Sequence, residues 1–426
     1  MATEKVFFNR PDSFMTVRHL TIHGTNFQIG QQLGELARER YGKKPEHFRG
    51  DPAFARARRA YLQRSYPIQW ERVRGMADAF GLDANDDRYD LTGLTYLMDM
   101  PMPPSGCSAV YYPPSTTVSH GGYLSRNYDF SIGSMADMIG APLPPAVKDT
   151  LAPVMSEPYV MAWYPEDGGY ASIAIHAFDL LSGTLDGMNT EGLVVSILAD
   201  MDAQIALGPH LEMHPTLQRA VGLHELQVMR LLLDTCATAE EAKTALLTCK
   251  QYYRFSPNHY IVADRAGHSF IYENSTGRNV QHVLDGGGRP QVITNHQLWG
   301  EDAREPVGAL TLENHSQWRY RALQDRIAAH PGPFTPNEVK TNNACANLFD
   351  QLPAMLANAT PEARAMYGLM RTVWHCVYDQ QAGKVEFSFY LGEDTKEDGT
   401  RTARYSEYLA FALDSRVALP SSDRAA

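Results

Sequence analysis

At Ser105-Gly106-Cys107-Ser108-Ala109-Val110 the residue pattern of the chain changes. A cysteine stands directly after a glycine and opens a run of strand-forming residues. Freed as a new N-terminus, such a cysteine carries its own base. A free α-amine titrates near about 8, against about 10.4 for a lysine ammonium, so it accepts a proton far better at neutral pH. One residue then supplies both nucleophile and base. By itself Cys107 supports this weakly, because a lone cysteine in an apolar strand is usually a small buried hydrophobe.

Upstream, Ile29, Leu33, Leu36 and Ala37 recur at helical spacing, and a second helix is expected over 54–80, interrupted at Pro67. A third is expected over 90–98, stopped by the proline cluster Met100-Pro101-Met102-Pro103-Pro104. Residues 1–106 thus read as a helical segment on a proline-rich leash, a propeptide or α subunit. Downstream the period changes. Short runs rich in β-branched and aromatic residues are expected as strands at 107–112, 122–128, 159–164, 172–178 and 192–198. Helical periodicity returns over 214–250, with Thr238-Ala239-Glu240-Glu241 as a helix start. Strands follow at 259–264, 269–272 and 291–294, then helices at 316–329 and 335–349. A hairpin at 372–378 and 384–390 turns at Gln380-Gln381-Ala382-Gly383. Strands alternating with helix groups point to an α+β domain over 107–413, with helices on antiparallel sheets, and a polar tail over 414–426.

The net charge is −11, which argues against nucleic acid or an anionic membrane surface as partner. Cysteines 107, 236, 249, 345 and 376 fit no disulfide or zinc spacing, which points to reduced thiols. Neither a secretory signal nor a transmembrane run is apparent, so a cytoplasmic protein is expected.

Arg126 and Asp129 follow Cys107 in Ser125-Arg126-Asn127-Tyr128-Asp129-Phe130. A guanidinium near the sulfur favours thiolate, and a carboxylate can orient an ammonium. Taken alone, the pair reads more readily as a surface ion pair. Together, Ser105-Gly106-Cys107 and Arg126-Asn127-Tyr128-Asp129 resemble the N-terminal-nucleophile (Ntn) hydrolases. More narrowly they resemble the acyl-coenzyme A:6-aminopenicillanate acyltransferase family (peptidase C45-like), related to the choloylglycine (bile salt) and penicillin V hydrolases. Asp186-Gly187-Met188-Asn189-Thr190-Glu191-Gly192-Leu193 resembles the family's D-G-M-N-x-x-G-L turn. Val292-Ile293-Thr294-Asn295-His296 resembles its T-N-H segment, and Ser316-Gln317-Trp318-Arg319-Tyr320-Arg321 its serine-to-arginine helix start. The segment Phe27 to Leu36 resembles the I-G-x-x-x-G helix of the acyltransferase branch.

The resemblance implies a four-layer αββα sandwich and a linear-amide hydrolase or N-acyltransferase with no cofactor. Cys107 would be the nucleophile, exposed by cleavage after Gly106, whose freedom of backbone angle suits a strained site. Arg126 and Asp129 would flank the amine and thiolate. Asn295 would donate to the oxyanion, with a backbone N–H near Ala199 as second donor. Arg319, or Arg321, would complete the polar network. The implied partners are a small acyl or amide substrate, with acyl-coenzyme A as one donor, and homo-oligomers of cleaved heterodimers are compatible. Two features depart from the family pattern: no aromatic directly follows Asn295-His296, and the segment Ile132 to Pro158 is long and rich in Met and Pro, as in a substrate-covering loop.

The rival reading is an uncleaved, non-catalytic relative that binds an acylated small molecule. A metal-dependent hydrolase is weaker: His210 and His214 have ligand spacing, but Gly208-Pro209 and Pro215 break the helix such a site needs. Gly286-Gly287-Gly288 precedes no helix, and neighbouring His375 and Cys376 point to opposite faces of a strand, which excludes a dyad.

Overall fold

The computed structural model describes residues 2–9, 13–96, 106–138, 144, 147, 151–207, 219–274, 280–300 and 307–414. Its strands begin with β1 (Thr3–Phe8), β2 (Val17–Gly24), β3 (Gly106–Tyr112), β4 (Tyr123–Ser131), β5 (Tyr159–Pro165) and β6 (Ser172–His176). Next come β7 (Thr184–Asn189), β8 (Val194–Ala199), β9 (Leu223–His224), β10 (Gln251–Tyr252), β11 (Asn258–Ala263) and β12 (Ser269–Asn274). The last are β13 (Gln281–Asp285), β14 (Gln291–Ile293), β15 (Met370–Asp379), β16 (Lys384–Thr395), β17 (Arg401–Tyr405) and β18 (Leu409–Ala412).

One sheet of nine strands runs β1-β2-β5-β6-β7-β8-β11-β12-β13. A second runs β14-β3-β4-β15-β16-β17, with β18 also on β16. Within both, pairing is antiparallel except for β2 beside β5. β4 shows why the sheets stack. All nine of its residues are buried, so neither face meets water. Arg126 and Phe130 reach Asp186 and Phe178 of the other sheet's layer. Ser125, Asn127 and Asp129 alternate with them and meet the helical layer at Val339, Asn343 and Arg319. Helices Asn26–Tyr41 and Glu225–Thr235 cover the nine-stranded sheet, and helices His315–Ala328, Pro336–Asn342 and Leu348–Met355 cover the other. The result is a helix–sheet–sheet–helix sandwich.

The N-terminal segment departs from the expected purely helical reading, because β1 and β2 extend the nine-stranded sheet. Its helices do break at Pro67, into Pro52–Ser65 and Pro67–Ala79. The helix expected over 90–98 is absent through residue 96. There the Asp90 carboxylate accepts the N–H and Oγ–H of Thr92, a local turn that competes with helix. The proline cluster and Ser105 lie outside the described residues. Of the stretch 214–250, the described residues 219–250 hold two helices, Glu225–Thr235 and Ala239–Thr248, the second capped by Thr238 with Glu241. The helix expected over 335–349 ends at Asn342, after which a tight turn leads to Leu348–Met355.

Helices Asn26–Tyr41 and Pro67–Ala79 cross at two glycines. A Cβ on Gly30 would lie 1.9 Å from the Arg72 carbonyl oxygen, and one on Gly75 would lie 1.8 Å from that of Phe27. Neither backbone can yield cheaply, so Gly30→Ala is expected to cost about 2–3 kcal/mol. Thermal unfolding checks this, and an unchanged midpoint would mean that the helices do not approach so closely.

Candidate active site

The register of β14 on β3 builds one half of the site. Ile293 pairs with Ala109, so Asn295, two residues on, falls opposite Cys107. The ladder stops at Ile293, and the Asn295 side chain takes over, its Oδ1 accepting the Cys107 N–H at 2.7 Å. Asn295 is itself fixed on three sides. Its N–H donates to Ser316 Oγ at 2.8 Å, its carbonyl accepts the Met201 N–H at 2.7 Å, and its Nδ2 donates to the Ala199 carbonyl at 2.9 Å. Arg319, wholly buried on the helix His315–Ala328, donates to the Cys107 carbonyl and to Asn295 Oδ1, both at 2.8 Å. It also meets Asp129 Oδ2 at 3.2 Å.

The other half lies between the sheets. Arg126 Nη2 is 3.4 Å from Cys107 Sγ, while Nη1 binds the Asp186 carboxylate. Asp186 also accepts from Ser196 Oγ, and the Arg126 guanidinium lies 4.7 Å from the centre of the Tyr128 ring. Arg126 and Asp129 are an odd number of residues apart in mid-strand, so they serve opposite faces. Asp129 sits on the helical side, accepting from Thr372 Oγ1 at 2.6 Å. It also explains Gly106. That residue lies in strand conformation, not at positive φ, and pairs with Asp129, whose Oδ2 would stand 3.0 Å from any Cβ placed there. Glycine at this position supplies room for the carboxylate, in place of the expected freedom of backbone angle.

Cys107 is 2% exposed. Burial pushes its thiol above the usual range, although Arg126 pulls the other way. In the continuous chain the guanidinium favours thiolate as expected, and burial outweighs it. Burial likewise raises Asp129 against the pull of Arg319, and Asp186 against that of Arg126.

A pocket opens at the sulfur. Phe178, Leu185, Ile197, Ala199, Leu226 and Phe255 supply apolar walls, and Glu225 and Asn258 polar edges. Phe178 holds a φ of 69°, rare for a bulky side chain. The Glu225 carboxylate accepts the N–H groups of Arg254, Phe255 and Ser256 and so fixes the Phe255 wall.

Of the residues proposed from sequence, Cys107, Arg126, Asp129, Asn295 and Arg319 thus meet in one network. Arg321 lies outside it, bonded to Gln324 and placed over Tyr320. Asp186, Thr372 and Ser316 were not singled out. Asp186 heads the quoted D-G-M-N run and Ser316 the quoted helix start, so each stood in view, whereas nothing local marks Thr372. His375 bonds Ser125 Oγ and Tyr408, while Cys376 pairs across the strands with Arg126, so the two do face opposite ways. His210 and His214 lie outside the described residues, among which no cluster of three or more His, Cys, Asp or Glu suits a metal. Nor is any described helix long and apolar enough to cross a membrane.

The sequence pattern of the acyl-coenzyme A:6-aminopenicillanic acid acyl-transferase family matches residues 117–389, well over half of the chain. The chain belongs to that family. The part shared with these acyl-transferases contains Arg126, Asp129, Asp186, Asn295 and Arg319 and begins just after Cys107. No curated protein matches the chain significantly. Among solved structures, penicillin V acylase from Agrobacterium tumefaciens is 16% identical, with 66% of this chain and 83% of that one covered at a TM-score of 0.41. A mutant of the conjugated bile acid hydrolase from Clostridium perfringens is 13% identical, with 75% and 100% covered at a TM-score of 0.34.

Proposed function

We propose that this acyl-transferase family member cuts itself between Gly106 and Cys107 and then works as an N-terminal-cysteine amidohydrolase or N-acyltransferase. The observation that carries the reading is the placement of both reactive atoms of Cys107, sulfur at Arg126 and nitrogen at Asn295, with its carbonyl held by Arg319. In cleavage the Cys107 sulfur adds to the Gly106 carbonyl and the C–N bond breaks. Water then hydrolyses the thioester, leaving a Gly106 carboxylate and a Cys107 amine. The pieces stay together, since β2 is built into the nine-stranded sheet and Arg72 forms a buried ion pair with Asp234.

In turnover the new α-amine takes the thiol proton, and the sulfur attacks the substrate's acyl carbonyl. Arg126 steadies the developing thiolate. Asn295 spends one Nδ2–H on Ala199 and offers the other to the oxyanion, with a backbone N–H near Ala199 as the second donor. The amine returns its proton to the departing amide nitrogen, or to the departing sulfur where the donor is a thioester, and water or a second amine resolves the acyl-enzyme. The apolar walls suit a hydrophobic acyl group. Resemblance to the acyltransferase branch in the N-terminal helix favours transfer, with acyl-coenzyme A as donor.

Intact mass spectrometry tests this. Two chains parting at Gly106–Cys107, with an acyl group trapped on Cys107 after exposure to penicillin V or to acyl-coenzyme A plus 6-aminopenicillanic acid, are the expected result. The deep burial of the sulfur favours the rival, an uncleaved binder, and a persistent single chain with Cys107 unlabelled would establish it. Asn295→Ala is expected to fold, to cleave and to lose about 10²–10³ in kcat. Unchanged turnover would remove Asn295 from the oxyanion.

A further inference from the structure

The segment that carries Asn295 is clamped from behind by a buried histidine. His259 on β11 is fully buried. Its Nε2 lies 2.7 Å from the Thr294 carbonyl oxygen, and its Nδ1 lies 3.1 Å from Glu273 Oε1. A carbonyl only accepts, so Nε2 carries a proton. Glu273 already accepts the Leu298 N–H on Oε1 and the Trp299 N–H on Oε2, both at 2.9 Å, as an ionised carboxylate does. Nδ1 therefore carries a proton too, and the ring is an imidazolium. It grips the peptide that precedes Asn295, while its partner Glu273 grips the chain just beyond, at 298–299.

We propose that His259, acting with Glu273, is the positioning residue that holds the Thr294–Asn295 peptide so that the Asn295 amide meets the Cys107 reaction centre. The inference rests on the role given above to Asn295 and Cys107. A neutral ring has one N–H and would turn a lone pair on either the carbonyl or the carboxylate. The facing charged groups are Glu273 from β12 and Asp200 just after β8. Asp200 accepts from Gln297 Nε2 and the Ala203 N–H, and Tyr253 lies near it. Burial lowers the affinity of His259 for its proton, but the bond and charge of Glu273, then Asp200 and the Thr294 carbonyl, outweigh it and raise the group above an ordinary histidine. With the folded value raised, the grip is complete on the acid side of that value and is lost as pH rises through it. Turnover then falls on the alkaline side.

The test uses the full chain with N-phenoxyacetyl and N-hexanoyl p-nitroanilides as probes, beside nitrogen-15 NMR of the histidine rings, which needs no substrate. Expected is one ring with both nitrogens still protonated above the usual histidine range, and lost in His259→Gln. That variant should lose at least about tenfold in kcat with KM within about threefold, as a misplaced group does. Should it fail to fold, Glu273→Gln takes its place and should shift the alkaline limb to lower pH. A neutral ring at about pH 7, or variants whose kcat and alkaline limb match wild type, overturns the proposal. Asn295→Ala and Cys107→Ala run in parallel. If these keep turnover, the proposed function fails; if they lose it while the His259 and Glu273 variants do not, only the positioning role fails.

Discussion

Cys107→Ala is expected to yield one uncut chain with no acyl transfer or hydrolysis above background. The substitution removes the only atom that can attack either the Gly106 carbonyl or a substrate, and without the cut no α-amine exists to act as base. The fold should survive, because Arg126, which loses the sulfur, keeps Asp186 and the Ile197 carbonyl. Cys107→Ser separates the two steps. A hydroxyl is a weaker nucleophile with the same reach, so slow cutting with little turnover is expected. Intact mass and circular dichroism read cutting and fold. A cleaved Cys107→Ala protein would show that another group breaks the chain. In uncut protein, alkylation of Cys107 should be slow near neutrality and quicken as pH rises, because burial holds the thiol protonated.

Asp186→Ala should be the most destabilising substitution in the site. Arg126 and Asp186 both have wholly buried side chains, and the aspartate balances a guanidinium beneath the sulfur. Removing one partner of such a pair leaves an unpaired buried charge and costs about 3–5 kcal/mol. Chemical denaturation should show a midpoint shift of that size. A double change, Arg126→Met with Asp186→Leu, fills the space without charge and should recover most of the stability. It should not recover turnover, since nothing then steadies the thiolate. Full activity in the double variant would assign the ion pair to structure alone. If Asp186→Ala unfolds no more readily than wild type, the pair is not balanced as described.

Much of the architecture is legible in the amino-acid sequence. The strand at Cys107, the break at Pro67, the cap at Thr238 and the hairpin at Gln380-Gln381-Ala382-Gly383 all follow from neighbours within a few residues. β2 is not legible locally, because its buried apolar residues Val17, Leu20 and Ile22 do not keep one alternation and its partner, β5, lies far along the chain. The helix expected over 90–98 failed for the opposite reason. Its apolar spacing suited a helix, but the Asp90 side chain captured Thr92 first.

Residue chemistry was likewise readable where a motif carried it, and silent where only contact did. Cys107, Arg126, Asp129, Asn295 and Arg319 all stand in recognisable runs, yet the run holding Arg319 offers Arg321 two residues later on equal terms. Only the helix packed against β3 decides between them, since it turns Arg319 toward the Cys107 carbonyl and leaves Arg321 on Gln324. The placing of Arg126 against Asp186, of Asp129 beneath Gly106 and of His259 behind Asn295 is of the same kind. Periodicity, caps and turns are set by interactions a few residues long, so they are written locally in the order of the residues. Which buried charges meet depends on strand register and on how two sheets stack, and a one-residue slip in register would send each side chain to the other face, so that choice belongs to the tertiary structure alone.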